Sequence, residues 1–192
     1  MDKPETGINA DDVLHMLSER DSLKVLYYVV NSEHHFDKYT EFLTGILNVF
    51  REIRDEHPEG SYERKTLDIF INKLENIINS LPNPYTVLDS VVEDVPIPNT
   101  KPGTGNPQCG MIQNLVDEKR KETIQTLIKE AENEYNEYKN NLMGIVKLLE
   151  ELGKGKGSKE VTGFTEKLKT VISNIPSPFE VLVTAYNEMV GR

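Results

Sequence analysis

Leu81-Pro82-Asn83-Pro84-Tyr85-Thr86-Val87-Leu88 reads as apolar, proline, capping residue, proline, aromatic, and then a further apolar run. The same order returns at Ile175-Pro176-Ser177-Pro178-Phe179-Glu180-Val181-Leu182. Proline cannot continue a helix and drives the residue before it out of the α region, so one helix must end near Ser80 and another near Asn174. Asn83 and Ser177 are good N-caps, and a proline directly after them occupies the first helical position, where its missing N–H is not needed. Pro82, Pro84, Pro176 and Pro178 therefore make two structural breaks, each a stop followed at once by a start.

Working outward, the offset between the two breaks is 175 − 81 = 94, and upstream it pairs Phe70 with Phe164, Leu74 with Leu168 and Ile78 with Ile172. Further back the register becomes 99, pairing Phe36 with Tyr135, Tyr39 with Tyr138, Leu43 with Leu142 and Gly45 with Gly144. The difference, 99 − 94 = 5 residues, falls at His57-Pro58-Glu59-Gly60 in the first half and Gly153-Lys154-Gly155-Lys156-Gly157 in the second. Both are expected to be loops, which tolerate changes of length.

Within each half the apolar spacing specifies helices. Val25, Val29, Ser32, Phe36, Tyr39, Leu43, Ile46, Phe50 and Ile53 advance by alternating steps of four and three. Ile124, Ile128, Ala131, Tyr135, Tyr138, Leu142, Ile145, Leu149 and Leu152 repeat the seam, which no strand could produce. At about 1.5 Å per residue, each seam is a rod of roughly 42 Å that needs partners. Leu67, Phe70, Leu74, Ile77 and Ile78, with their counterparts from Val161 to Ile172, supply an antiparallel helix after a short turn. A shorter helix follows each break, rich in β-branched residues in the first half, so that it forms only when packed. Residues 11–17 also read as a short helix with acidic residues in its first turn.

The expected fold is all-α: a tandem duplication of a unit made of a long helix, an antiparallel helix, a Pro-x-Pro break and a short helix, forming a helical bundle. Residues 1–95 form the first repeat, the Pro/Gly-rich residues 96–107 a linker, and residues 108–192 the second repeat. A unit of some 90 residues with one seam of apolar side chains is marginal alone, so the halves are expected to pack together.

Charge and composition narrow the partners. The chain of 192 residues carries a formal net charge of −10, which repels nucleic acid and anionic surfaces. It has no run of eighteen apolar residues to span a membrane, and its amino terminus lacks a signal-like stretch. A single cysteine, Cys109, cannot form an internal disulfide. A soluble protein results, with a cytoplasmic location favoured over a secreted form whose leader has been removed.

The chemistry-bearing residues point to no catalyst. His34 and His35 are adjacent, about 100° apart on a helix, and the second half has Asn133 and Glu134 there, so they do not make a metal site. His15 and Glu19 share a helical face but lack further ligands. The surroundings of these histidines are not those of a phosphotransfer bundle. Gly153–Lys159 resembles a phosphate loop only superficially, because its Ser158 precedes Lys159 and a helix precedes the whole stretch. Carboxylates fall on polar faces with nothing to raise a pKa. No metal, no cofactor and no enzymatic activity are expected. The chain has no tryptophan, and its proline break is foreign to spectrin-type three-helix repeats.

Two further groups of residues are singled out. Gly45 and Gly144 interrupt predicted helices at a cost of about 1 kcal/mol each, which implies close approach of another element, expected to be the post-proline helix. Phe36, Tyr39, Phe50, Phe70, Tyr135, Tyr138 and Phe164 form an aromatic set that either fills the core or spaces the helices around an apolar cavity. Two functions fit: an acidic helical protein that binds a protein partner through a helical face or groove, or a carrier holding a lipid-like apolar molecule between its helices, with the post-proline helices as lids.

Overall fold

The computed structural model describes residues 17–93, 110–156 and 159–191. The helix expected before residue 17, the linker over 96–107 and Cys109 fall outside those residues, Leu17 excepted. Among the described residues every regular element is helical and there is no strand: α1 (Glu19–Asp55), α2 (Tyr62–Asn79), α3 (Pro84–Val92), the single turn α4 (Gly110–Gln113), α5 (Glu118–Lys156), α6 (Lys159–Ser173) and α7 (Pro178–Met189). The arrangement is compatible with a helical bundle.

Both breaks behave as proline chemistry requires. α2 ends at Ser80, and Asn83 Oδ1 then accepts from the Thr86 amide at 2.8 Å, with Pro84 in the first turn of α3. In the second break Ser177 Oγ accepts from the Glu180 amide at 3.2 Å while Glu180 Oε1 accepts from the Ser177 amide at 3.1 Å, a reciprocal capping box. The long helices also begin on side-chain caps. Ser18 Oγ accepts from the Asp21 amide at 3.2 Å and Asp117 Oδ1 from the Arg120 amide at 2.9 Å.

One expected loop is helical over most of its length. α5 continues through Gly153 to Lys156, where residues 153–157 were expected to be irregular. Lys154 lies in its last turn, where the helix dipole favours cations. Gly153 is buried against α6, where a Cβ would stand 3.4 Å from Val161 Cγ1, an ordinary contact. The corresponding loop of the first half does form, turning at Gly60 with φ +81° before Ser61 caps α2.

The chain divides into two compact units, and each draws on both halves of the sequence. Unit 1 holds the first part of α1 to Phe36, α3, α5 from Asn136 and α6; unit 2 holds α1 from Asp37, α2, α4, α5 to Tyr135 and α7. In unit 2, α2 runs antiparallel to α1, with Arg54 paired to Asp68 at 3.5 Å and Arg51 to Glu75 at 3.3 Å, and α2 packs on α7. In unit 1, α6 returns along α5 through the Lys169–Glu150 pair and packs on α3. The seam residues Tyr39, Leu43, Ile46, Tyr138, Leu142 and Ile145 are essentially inaccessible. The seam loosens toward the N-terminal ends of the long helices, where Val25 and Ile128 are only half-buried.

Each unit contains one buried hydrogen bond of the same kind. In unit 2 the Tyr39 hydroxyl donates to the Pro176 carbonyl at 2.7 Å; in unit 1 the Tyr138 hydroxyl donates to the Pro82 carbonyl at 2.8 Å. Both prolines are buried, and a buried carbonyl left by a helix stop needs a donor. Burial pushes the Tyr138 hydroxyl pKa upward, which keeps the proton it donates.

Gly45 and Gly144 face the other long helix rather than the post-proline helix expected there. A Cβ on Gly45 would lie 3.4 Å from Leu127 Cδ2, an ordinary contact, whereas one on Gly144 would lie 2.5 Å from the Tyr28 ring.

Three outcomes follow from these contacts. Tyr39→Phe and Tyr138→Phe each leave a buried carbonyl without its donor and lower stability by about 1–3 kcal/mol, read from urea midpoints at unchanged m. Gly45→Ala raises the melting temperature through helix propensity, while Gly144→Ala lowers it because the Tyr28 ring must move; in a Tyr28→Ala background the Gly144 change turns stabilising. The hydrogen bond from Arg120 holds the Glu56 carboxyl below its ordinary value of 4.5. The stabilisation from that pair is therefore present above about pH 4.5 and lost as pH falls through the folded value. Glu56→Gln makes the acid limb of the stability profile shallower.

Candidate functional site

Each unit carries an apolar groove, and both are assembled in the same way. In unit 2 the floor is Phe50 and Phe70, whose rings meet edge to face at 4.9 Å. Ile124 and Ile128 of α5 form one wall, and Phe179, Leu182 and Tyr186 of α7 form the other. Ile112 and Val116, in and just after α4, close one end, leaving a cavity of about 420 Å³.

In unit 1 the floor is Ile145, Leu149 and Phe164. Val25 and Val29 of α1 form one wall, and Tyr85, Leu88 and Val92 of α3 the other, with Leu17 at the end. This cavity measures about 380 Å³.

Most of the two linings correspond at the offsets read from the sequence. Adding 99 takes Leu17, Val25 and Val29 to Val116, Ile124 and Ile128, and Phe50 to Leu149; adding 94 takes Phe70, Tyr85, Leu88 and Val92 to Phe164, Phe179, Leu182 and Tyr186. The grooves owe their width to the loosened ends of the seams. Below them large side chains interdigitate closely; beside them the short helices cover only part of the apolar face.

An aromatic residue stands exposed at each mouth. Tyr85 is 50% and Phe179 57% accessible, although both follow the second proline of a break and lie on packed helices. Tyr85 is held by a hydrogen bond from its hydroxyl to Glu33 Oε2 at 3.1 Å, and the carboxylate raises the phenol pKa. Phe179 has no hydroxyl to fix it.

The aromatic set divides between lining and core. Phe50, Phe70 and Phe164 line grooves. Phe36, Tyr39, Tyr135 and Tyr138 do not; they make ring contacts instead, Phe36 with Tyr138 at 5.2 Å and Tyr39 with Tyr135 at 5.5 Å. Pro82 and Pro176 accept the tyrosine hydrogen bonds, and Pro84 and Pro178 open the helices that wall the grooves. Sequence reasoning passed over Leu88, Leu182, Tyr186 and the mouth aromatics as lining. The signal was the aromatic that follows the second proline in both breaks.

Among the described residues no group of three or more His, Cys, Asp or Glu side chains could hold a metal ion. The rings of His34 and His35 meet edge to face at 5.2 Å. A separate polar hollow in unit 2 is occupied by its own ion pairs, with Arg120 bound to Glu56 and to Asp117. Among the described residues no helix is long and apolar enough to cross a membrane. Compared with known proteins, the chain matches no family model, no curated protein and no solved structure.

Proposed function

We propose that the protein is a carrier of small apolar molecules with two sites, one groove in each compact unit, built on a duplicated helical unit. The observation that carries this reading is the correspondence of the two linings. Accidental packing defects would not recur with matched residues on floor, walls and mouth. Cavities of about 420 and 380 Å³ fall within the range of roughly 300–1,000 Å³ usual for ligand pockets. The short helices act as lids that the proline breaks hinge onto the bundle. Duplication is supported by the paired breaks, by long helices of 37 and 39 residues and by the two matching tyrosine-to-proline hydrogen bonds.

A second reading, recognition of a protein partner, rests on one observation. Leu23, Leu26, Tyr27 and Val30 form an exposed stripe at i, i+3, i+4 and i+7 on α1, suited to an amphipathic partner helix. Its second-half counterparts, Glu122, Gln125, Thr126 and Lys129, are polar. Leu23→Lys with Tyr27→Lys would remove such a partner and leave the grooves intact, because neither side chain lines one.

Titration of the purified full chain with a neutral naphthylamine fluorophore tests the carrier reading. Two sites per chain are expected. Leu88→Trp fills the unit 1 groove and Leu182→Trp the unit 2 groove, so each variant retains one site at an unchanged melting temperature. Absence of binding, or two sites in both filled variants, overturns the proposal.

A further inference from the structure

The two grooves differ most in the polar side chains on the wall from the long helix. In unit 2 the α5 wall carries Lys121 and Gln125, one turn apart on the same face, and Gln113 stands on α4. The counterparts of Lys121 and Gln125 in unit 1 are Ser22 and Leu26. Among the described residues Lys121 is the one charged side chain lining the unit 2 groove, and none of them lining the other is charged.

Resting on the carrier reading, we infer that the unit 2 groove takes a long-chain carboxylate, with its chain over Phe50 and Phe70 and its carboxylate at Lys121, while the unit 1 groove takes a neutral apolar molecule. A ligand body that fits one groove fits the other in kind, so selectivity must come from the polar end. An ammonium and two amides at one rim offer N–H donors to an anion, and charge-assisted hydrogen bonds are the stronger kind. Among the described residues no carboxylate lines the groove to compete from within. Lys121 Nζ presently contacts Glu118 Oε1 at 3.3 Å, but that carboxylate side chain is 90% exposed, and such pairs contribute little and exchange readily. The neighbouring Arg120 is excluded from this role because Glu56 and Asp117 already hold it. A neutral ligand in unit 2 would leave Lys121 without gain, and an anion in unit 1 would meet the Ser22 hydroxyl and the Tyr85 hydroxyl, whose proton is already given to Glu33.

The test uses the full chain and a matched pair of probes, dansylaminoundecanoic acid and its methyl ester. The acid is expected to bind with a preference for unit 2, lost in Leu182→Trp and kept in Leu88→Trp. Lys121→Gln weakens the acid roughly tenfold and leaves the ester unchanged, as expected for loss of one charge-assisted contact of about 1.5 kcal/mol. Ser22→Lys gives unit 1 a gain in acid binding. If both probes bind and Lys121→Gln changes their ratio by less than twofold, the assignment of the carboxylate is overturned while the carrier reading stands. If neither probe binds, both fall.

Discussion

A pair of tyrosine hydroxyls holds this architecture together at its weakest points. A Pro-x-Pro break ends one helix and starts another within four residues, and it leaves a carbonyl pointing into the protein with no helical partner. Tyr138 satisfies the one at Pro82, and Tyr39 the one at Pro176. Without these donors each break would bury an unsatisfied acceptor, and the short helix it launches would lose its anchor at the first turn. The position of α3 and α7, and hence the wall of each groove, descends from that bond.

The all-helical class was legible because the seam spacing admits no other reading, and the breaks were legible because proline chemistry is local. Caps at Asn83 and Ser177 follow from residue type alone. Other features depend on neighbours that a sequence does not rank. The tyrosines could be read as core but not as donors to proline carbonyls, since the acceptor lies 137 residues away for Tyr39 and 56 for Tyr138. Gly45 and Gly144 could be read as sites of close approach, yet their neighbours come from the opposite long helix. The run from Gly153 looked like a loop because three glycines weaken a helix. A lysine near a helix C-terminus, as Lys154 is, works the other way.

The candidate site was legible only in part, for a physical reason. Aromatic residues in the middle of a long seam are enclosed on all sides and become core, as Tyr39 and Tyr138 did. Those that face its loosened ends, from the far end of the other long helix or from the hairpin helices, become lining. Phe50, Phe70 and Phe164 belong to this second group. Periodicity reports which face a residue occupies, but not whether the opposite face is full.

Because each compact unit takes segments from both halves of the sequence, neither can close early during synthesis. Unit 1 must wait for α6, which ends at Ser173, and unit 2 for α7, which ends at Met189. Until then the apolar faces of α1 and α2 have no lasting cover. Pairings between residues so distant along the chain are slow to form, and exposed apolar surface invites aggregation. The newly made polypeptide therefore carries those apolar faces uncovered until the distant segments that complete each unit have been synthesised.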